Sequence, residues 1–360
     1  MQVPLLDLKA QHASIRDELD AAIARVMERG QFVMAEEVEA FEEEWARYCG
    51  AEYAVGVSSG SDALYLCLRY LQEQEYFRRC ITTPVSFWAT TEAVLRTGLE
   101  MGFAEVDPLT GCLDLNKVEA GEYLTVVLPV SLYGYPAPSW APHWSPSTIV
   151  LMDAAQAHGQ RLETWAACFS HYPTKNLGAM GQAGSIVTND GALHDWLRTA
   201  RSHSEAGGRF RHTGVTGNLR LDEIQAAILR VKLPHLAAWN ERRRTIAVRY
   251  DKMLAPLPGI KLQPFHPDHT YHIYAIRVTD RERDALAQHL AQAGIQTAIR
   301  YPIPLHKQPF LVEHGGRDGS FPIAEAWCRE VLNLPIYETM SDDAVQYVGE
   351  QIRRWTEVQS

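Results

Sequence analysis

The chain has 360 residues, of which 46% are hydrophobic and 22% are charged. This composition is ordinary for a globular protein and excludes an intrinsically disordered one, and at about 150 residues per domain the length predicts two domains. Lysine and arginine number 34 against 44 for aspartate and glutamate, a net charge of −10, which argues against nucleic acid or an anionic membrane as the main partner.

The first half of the chain predicts helices followed by alternating strands and helices. Apolar side chains recur at helical spacing in residues 15–26 and again in residues 38–48. Further helices are predicted at residues 64–71 and 87–96. Short apolar segments predict strands at residues 53–57, 80–84, 124–130, 148–152, 165–169 and 185–188. Such alternation predicts an α/β fold, with a mostly parallel sheet covered by helices on both faces.

The second half predicts a smaller unit. One long helical region runs from Leu221 past Pro234 to about Leu254, and a Pro-rich linker follows at residues 256–267. A half-buried strand is predicted at residues 271–278, and helices at 281–293 and 342–355. We therefore expect a large domain over residues 1–244 and a small C-terminal α+β domain over residues 245–360.

The cellular compartment is predicted from three features that the sequence lacks. The longest apolar stretch, residues 126–130, is far too short to cross a bilayer. Residues 1–10 lack the apolar core of an export signal. Six scattered cysteines form no Cys-x-x-Cys pair, so reduced, mostly buried thiols are expected rather than disulfides or metal ligands. A cytoplasmic protein is the expectation.

The junction after the first predicted strand could bind an anion. Gly60 and Ser61 lie where a strand ends and a helix begins, so backbone N–H groups and the positive end of the helix face one point. An ordinary helix cap explains the same residues. The junction has neither a GxGxxG pattern nor a P-loop, which disfavours a dinucleotide or a triphosphate.

Two further residues extend this pattern. Asp153 ends the apolar run of residues 149–152, at the edge where open α/β sheets bind ligands, although it could equally cap a helix. Lys175 follows in a polar segment, where most lysines are solvated surface charges. Together with an aromatic residue after Pro84, and with Ser170, the ordered set matches the needs of pyridoxal phosphate: a Schiff-base lysine, a carboxylate for the pyridine nitrogen and a phosphate site.

Seven segments, in order along nearly the full length, carry a resemblance to a known family. They are Phe41–Ala46 (FEEEWA), Val57–Leu64 (VSSGSDAL), Asp153–Gly159 (DAAQAHG), Ser170–Gly178 (SHYPTKNLG), Gly217–Ala227 (GNLRLDEIQAA), Tyr301–His306 (YPIPLH) and Leu332–Tyr337 (LNLPIY). The chain resembles the DegT/DnrJ/StrS family of nucleotide-sugar aminotransferases. The resemblance implies a fold type I, pyridoxal-phosphate-dependent enzyme with the aspartate-aminotransferase-like architecture.

The resemblance also implies roles around the cofactor ring. Lys175 would bind the cofactor and move the proton between substrate and cofactor. Asp153 would pair with the pyridine nitrogen, and Gln156 would face the phenolic oxygen. Trp88 would stack on the ring; a core tryptophan is the alternative.

Phosphate and substrate contacts follow from the same resemblance. Gly60, Ser61 and Ser170 would hold the phosphate, and Asn218 would reach the phosphate of the other subunit, which implies a homodimer with shared active sites. A helix cap is the alternative for Asn218. The candidates for the substrate pocket are Tyr172, Arg220 and His306, each of which could instead be a structural side chain. No metal is implied.

Four features depart from the family pattern. Met152 stands where the family often has Glu, and Ser131 where His is frequent. His171 replaces the common Phe, and the segment of residues 159–170 is short. These departures concern loop length and the shape of the substrate pocket, while the cofactor residues are intact.

The implied reaction moves an amino group from an amino acid, L-glutamate, to a nucleotide-linked keto sugar. The residues before the lysine resemble those of members that act on dTDP-3-keto-6-deoxyhexoses, and a 4-keto sugar is the alternative. Related dehydratases have a histidine in place of the lysine, and a regulatory homologue without turnover would be expected to lose the lysine or the aspartate. Lys175 and Asp153 argue against both.

Overall fold

A computed structural model describes residues 1–74, 76–119, 124–138, 148–161, 163–279, 282–314 and 319–359. The helices are α1 (Leu8–Ser14), α2 (Arg16–Arg29), α3 (Glu36–Cys49), α4 (Gly60–Glu73), α5 (Trp88–Thr97), α6 (Gly191–Ala200), α7 (Glu223–Lys232), α8 (Leu236–Leu254), α9 (Arg283–Gln292), α10 (Pro309–Glu313), α11 (Pro322–Glu330) and α12 (Asp342–Gln359). The strands are β1 (Tyr53–Val57), β2 (Phe77–Thr82), β3 (Glu100–Phe103), β4 (Leu124–Leu128), β5 (Thr148–Asp153), β6 (Ala166–Ser170), β7 (Gly184–Thr188), β8 (Ile260–Leu262), β9 (Tyr274–Val278) and β10 (Val331–Leu334).

The large sheet has seven strands in the order β1-β7-β6-β5-β4-β2-β3. The pairs β2–β3, β2–β4, β4–β5 and β5–β6 are parallel, and β7 is antiparallel to both of its neighbours. The prediction of a mostly parallel sheet is therefore confirmed. Because β1, β5 and β6 all point the same way, their carboxyl ends meet at one edge, where this class of sheet binds ligands.

Alternating side chains of the sheet feed two hydrophobic cores. In β6, Ala167 and Phe169 pack into the core that includes α3 and α7, whereas Ala166 and Cys168 pack into the core that includes α4. Successive residues of a strand point to opposite faces, so near-continuous apolar strands are the signature of a sheet buried on both sides. The sheet is thereby fixed between two helical layers.

A second sheet, β10-β9-β8, lies in the C-terminal part and is antiparallel. Its core contains Ile246, Tyr250 and Leu254 of α8, while Leu236 at the start of α8 belongs to the core of the large sheet. The predicted domain boundary between residues 244 and 245 thus falls inside one continuous helix that contributes to both cores. The boundary itself stays a prediction.

Several elements differ from the sequence-based predictions. The long helical region is two helices, because Pro234 lies in a 3₁₀ turn at residues 233–235 that separates α7 from α8. The Pro-rich stretch predicted as a linker contains β8, which is too short for a visible alternation. Helices α1, α6, α10 and α11 and strands β3 and β10 were not predicted. Residues 162 and 281, inside the predicted short segment and the predicted helix, lie outside the described residues.

All six cysteines are free thiols, and only Cys49 is not fully buried. The sulfur atoms of Cys67 and Cys168 lie 3.7 Å apart, well beyond a disulfide bond. The expectation of reduced, mostly buried thiols is confirmed.

Candidate active site

A cavity of about 510 Å³ lies at the carboxyl edge of the large sheet, a size typical of small-molecule sites. Strands β1, β5 and β6 end at its wall, and the antiparallel β7 begins there. The predicted site residues that line it are Gly60, Ser61, Asp153, Gln156, Ser170, Tyr172 and Lys175. Segments more than a hundred residues apart in the sequence thus meet in one concave site.

Asp153 is the last residue of β5 and is only 5% exposed. Its carboxylate accepts a hydrogen bond from the Thr90 hydroxyl at 2.7 Å and one from the Ala155 N–H at 3.2 Å. Burial raises the pKa of Asp153, although these two hydrogen bonds and the charge of Lys175 act in the opposite direction. A buried carboxylate of this kind is stabilised by a cation, such as a protonated ring nitrogen.

Lys175 lies in the loop between β6 and β7, where its backbone N–H donates to the carbonyl of Tyr172 at 2.8 Å. The loop is tight, because a Cβ atom at Gly178 would lie 2.4 Å from the carbonyl oxygen of Pro173. Burial lowers the pKa of Lys175 to about 8; the charge of Asp153 opposes this shift and that of Arg300 adds to it. A lysine with a lowered pKa has a larger fraction of neutral amine near neutral pH, as a nucleophile requires.

The amino end of α4 forms the anion-binding corner of the cavity. Ser59 caps the helix by accepting from the Asp62 N–H at 3.1 Å, so Gly60 and Ser61 are not the capping residues. A Cβ atom at Gly60 would lie 2.6 Å from Cβ of Ser170 and 2.9 Å from its Cα. This close approach brings the positive end of the helix and the Ser61 and Ser170 hydroxyls to one wall, an arrangement suited to a phosphate.

Substitution of Gly60 by alanine tests this corner. The added methyl group must displace the end of β6, so we expect the dissociation constant for pyridoxal phosphate to rise at least about tenfold. Gly191→Ala is the matched control, since the nearest atom to its added Cβ would be 3.7 Å away. Titration of the unloaded variants by cofactor absorbance gives both constants. Equal affinity of Gly60→Ala and wild type would contradict a phosphate at this corner.

Gln156 has both ends of its carboxamide engaged. Its oxygen accepts from the Tyr133 N–H at 2.5 Å, and its nitrogen donates to the Tyr301 hydroxyl at 3.2 Å. Tyr301 also lines the cavity, and burial raises its pKa to about 12. The protonated Tyr301 hydroxyl and the amide of Gln156 therefore form a pair of neutral polar groups on one wall.

Of the two adjacent aromatic residues Phe87 and Trp88, Phe87 lines the cavity. Phe87 lines the cavity and is 60% exposed, with its ring 6.1 Å from that of Tyr301. Trp88 begins α5, is not among the lining residues, and lies against Phe310 with the ring centroids 6.1 Å apart. Because the chain turns from extended to helical between these two residues, their side chains diverge.

Asn218, Arg220 and His306 do not line the cavity. Asn218 is exposed, and its carboxamide oxygen accepts from Nε of Arg220 at 2.7 Å. His306 is buried, with Nε2 3.4 Å from a carboxylate oxygen of Glu325 and its ring 4.9 Å from that of Phe321. Within one chain, the contacts of Arg220 and His306 are those of structural side chains.

Several lining residues were missed by the sequence analysis, namely Phe87, Thr90, Gln182, His272, Arg300 and Tyr301. Tyr301 begins the segment YPIPLH that carries the family resemblance, which was an available signal, whereas Thr90 lies in the predicted helix of residues 87–96 without a pattern of its own. For Gln182, His272 and Arg300 no local pattern distinguishes them from other polar residues.

Two of the departures from the family pattern are in contact. The Ser131 hydroxyl lies 3.7 Å from the sulfur of Met152, so the two positions form one neutral pair. His171 is fully buried, and its ring nitrogens lie 2.9 Å from the carbonyl oxygen of Leu177 and 2.8 Å from the hydroxyl of Ser185. Burial lowers the pKa of His171 to about 4, so it fills its site as a neutral side chain.

Neither a metal-ligand cluster nor a membrane-spanning helix occurs in the described ranges. No group of three or more His, Cys, Asp or Glu side chains in them could hold a metal ion. None of the helices described is both long and apolar enough to cross a membrane.

The groups that line the site fit pyridoxal phosphate. Lys175 provides an amine, and the buried carboxylate of Asp153 can pair with a cation. At the amino end of α4, Gly60 packs closely against Ser170 beside the Ser61 and Ser170 hydroxyls, which suits a phosphate.

Comparisons with known proteins agree with this geometry. A model of the DegT/DnrJ/EryC1/StrS aminotransferase family matches residues 13–353. The chain is 38% identical to a dTDP-3-amino-3,4,6-trideoxy-alpha-D-glucose transaminase of Streptomyces venezuelae, over 99% of this chain and 97% of that protein. It is 40% identical to the erythromycin biosynthesis sensory transduction protein EryC1 of Saccharopolyspora erythraea, over 97% of this chain and 98% of that one.

Among solved structures, that of DesV from S. venezuelae in complex with a ketimine intermediate has a TM-score of 0.91 at 38% identity, covering 99% of each chain. The family match, the relatives and the fold all extend over nearly the whole chain. The chain therefore belongs to the DegT/DnrJ/EryC1/StrS family and is a pyridoxal-phosphate-dependent aminotransferase of fold type I.

Proposed function

We propose that this aminotransferase moves the amino group of L-glutamate to the keto carbon of a dTDP-3-keto-6-deoxyhexose. The observation that carries the proposal is the placement of Lys175 and Asp153 in one cavity, on a chain 38% identical to a dTDP-3-amino sugar transaminase over 99% of its length. A nucleotide-linked sugar is the acceptor class in that relative's name, and a 3-keto sugar is the acceptor that would give its 3-amino product.

Within the site, each residue would have a defined part. Pyridoxal phosphate supplies an electron sink when bound. Lys175 would hold its aldehyde carbon and then carry the proton between substrate and cofactor. Asp153 would keep the pyridine nitrogen protonated, and Gly60, Ser61 and Ser170 would hold the phosphate.

The ring would be positioned by groups on the remaining walls. Phe87 takes the stacking part that the sequence suggested for Trp88, because Phe87 lines the cavity and Trp88 does not. Gln156 would face the phenolic oxygen, assisted by the Tyr301 hydroxyl at 3.2 Å. Tyr172, 46% exposed at the cavity, would contact the sugar.

Amination of defined keto sugars tests the proposal. The purified, cofactor-loaded protein is incubated with L-glutamate and either dTDP-3-keto-6-deoxyglucose or its 4-keto isomer, and products are identified by mass spectrometry and NMR. We expect the 3-amino sugar to form. Exclusive amination of the 4-keto isomer would move the assignment to the alternative position. No turnover with either sugar would favour a regulatory role, as the name of the EryC1 relative suggests.

A homodimer with shared active sites, in the cytoplasm, completes the proposal. Exposed apolar side chains on the α2–α3 connection and on the loop of residues 202–217 would be covered by a second subunit; they include Phe32 (48% exposed), Val33 (45%), Phe210 (77%) and Val215 (84%). Asn218 directly follows that loop and is exposed, so it would reach the phosphate held by the partner. Arg220 would assist through its hydrogen bond to Asn218.

Hybrid dimers test the shared site. Asn218→Asp keeps the side-chain shape and places a negative charge beside the cofactor phosphate, so we expect it to be nearly inactive alone. In a mixed dimer with Lys175→Ala subunits, both lesions fall in one site and the other site is intact. Equal mixing should therefore restore about a quarter of wild-type activity. If subunit exchange is verified and no activity returns, Asn218 acts within its own chain.

A further inference from the structure

Lys232, the last residue of α7, is a buried lysine that does not line the cavity. Its side chain is 0% exposed, and lysines are almost never fully buried unless they are paired. In the described part of the chain no carboxylate forms a salt bridge with it. Glu338, whose charge favours the ammonium form, is paired with Arg243 instead, at 3.0 Å. The charge of Lys232 is therefore held by other groups.

Three acceptors surround the Nζ atom of Lys232. They are the carbonyl oxygen of Gly178 at 2.8 Å, Nε2 of His12 at 3.0 Å and the carboxamide oxygen of Gln11 at 3.3 Å. An ammonium group has three N–H donors, whereas a neutral amine has two. The geometry therefore fits a charged Lys232 and a neutral His12 that accepts at Nε2.

The pKa values of the two residues agree with this assignment. Burial lowers the pKa of Lys232 to about 8, against the charge of Glu338, so the ammonium form still prevails at neutral pH. Burial and the charge of Lys232 lower the pKa of His12 from its ordinary value, so this ring is neutral there. Lys232 is thus a buried cation whose partners are all neutral.

The shortest of the three hydrogen bonds goes to the loop that carries Lys175. Gly178 follows Lys175 by three residues, and its carbonyl accepts from Lys232. The loop has no slack at this point, because its two ends are joined by the hydrogen bond from the Ala179 N–H to the carbonyl of His171 at 2.8 Å. A shift of the Gly178 carbonyl would therefore move the turn that holds Lys175.

A second side chain fixes the same loop. The carboxamide nitrogen of Asn176 donates to the carboxamide oxygen of Asn240 in α8 at 2.8 Å and to the carbonyl of Thr270 at 2.9 Å. The chain after Lys175 is thus held at two points, by neutral groups at Asn176 and by the Lys232 cation at Gly178. Of these two anchors, the one at Gly178 is charge-assisted, and such hydrogen bonds are about twice as strong as neutral ones.

We propose that Lys232 is a positioning residue for Lys175, whose amine it holds against the cofactor by fixing the carbonyl of Gly178. Catalytic groups have to lie within about 0.5 Å of their productive position, and a displacement of about 1 Å can cost a hundredfold in rate. Lys232 acts through the loop and contacts neither cofactor nor substrate. This inference rests on the proposed role of Lys175 as the lysine that binds the cofactor.

Gln11 offers a matched control. It is 4% exposed, and its carboxamide accepts from Lys232 and donates to Glu338 at 2.8 Å. Gln11→Met removes these two hydrogen bonds but leaves the bond between Lys232 and Gly178. Lys232→Met removes that bond with a side chain of similar length. Both substitutions leave buried polar groups unpaired, so both should lower the unfolding temperature.

The experiment compares both variants with wild type in three measurements. The first is the rate at which pyridoxal phosphate attaches to the unloaded protein, followed by absorbance, with the modified peptide identified after borohydride reduction. The second is amide hydrogen exchange of residues 171–179 in the holoenzyme. The third is the pair of constants kcat and KM for the keto sugar.

In Lys232→Met we expect the attachment rate and kcat each to fall at least about tenfold, while KM changes less than about threefold, because the reactive amine is displaced and the substrate contacts are not. Exchange at residues 171–179 should become at least about ten times faster, since the loop has lost an anchor. In Gln11→Met all of these quantities should stay within about threefold of wild type, because the Gly178 contact persists.

Two results would overturn the inference. One is an equal loss of attachment rate and kcat in Gln11→Met and Lys232→Met, which would mean that both follow the stability of the fold. The other is unchanged exchange and attachment in Lys232→Met. If Lys232→Met does not fold, Lys232→Gln, whose neutral side chain is one bond shorter, decides by the same comparison. Failure of the proposed function looks different: the reduced wild-type protein carries the cofactor at a residue other than Lys175, or no keto sugar is aminated.

Discussion

Lys175→Ala is expected to lower turnover at least about a thousandfold while the protein stays folded, because general acid–base and covalent catalysis depend on the same amine. Among the described residues that line the cavity, Lys175 is the single lysine. No other primary amine is therefore in position to hold the cofactor's aldehyde carbon or to move the substrate proton. Steady-state kinetics with the keto sugar and L-glutamate measures the loss.

The control for this substitution is Lys252→Ala, which removes an exposed lysine of α8 that is not part of the cavity lining. Circular dichroism and thermal unfolding should show that both variants are folded. Adding ethylamine should restore part of the activity of Lys175→Ala, since truncation leaves room for a small amine in the cavity. Turnover of Lys175→Ala within about tenfold of wild type would remove Lys175 from the mechanism.

The sheet and its ligand-binding edge were predictable because they depend on local patterns. β5 is a run of apolar residues that ends in a carboxylate, and β1 is a run that ends before Ser-Ser-Gly-Ser. In a parallel sheet the carboxyl ends of such strands share an edge, which predicts that Asp153 and Gly60 lie at the same edge. The structure places both on the wall of one cavity.

The choice between Phe87 and Trp88 could not be made from the sequence. Both are aromatic and adjacent, and either could follow Pro84 at the start of a helix. Which one points into the cavity depends on where the extended segment becomes α5, and a boundary is the least certain part of any such prediction. Phe310, from the far end of the chain, contacts Trp88 and gives it a place away from the cavity.

Arg300 and Asn333 were missed for a different reason. Asn333 lies in β10 and forms a backbone bridge with Ala298, two residues before Arg300, and both Arg300 and Asn333 are more than a hundred positions from Lys175 in the sequence. One arginine among 34 basic residues carries no local signal of its surroundings. Asn333 lies in the quoted segment LNLPIY, but the absence of hydrogen-bond partners at its carboxamide is a property of the folded chain that this pattern does not reveal.

Asp153→Asn is expected to retain the cofactor but to lower turnover at least about a hundredfold, the range found when a preorganised electrostatic partner is removed. The amide has nearly the same shape and can still accept from Thr90, so the local fold should persist. It has no negative charge with which to keep the pyridine nitrogen protonated. The matched control is Asp7→Asn, which alters only the helix cap of α1, where asparagine is an equally good residue.

The same substitution should leave the unloaded protein at least as stable as wild type. Because burial raises the pKa of Asp153 in the folded state, the unloaded wild type loses stability as the pH rises from the unfolded pKa through the folded one. The neutral amide of Asp153→Asn carries no such penalty, so thermal unfolding of the unloaded variant at pH 7 should occur at the same or a higher temperature. Adding cofactor should then stabilise wild type more than the variant. A variant that unfolds earlier when unloaded, yet turns over normally, would show that Asp153 serves the fold and not the reaction.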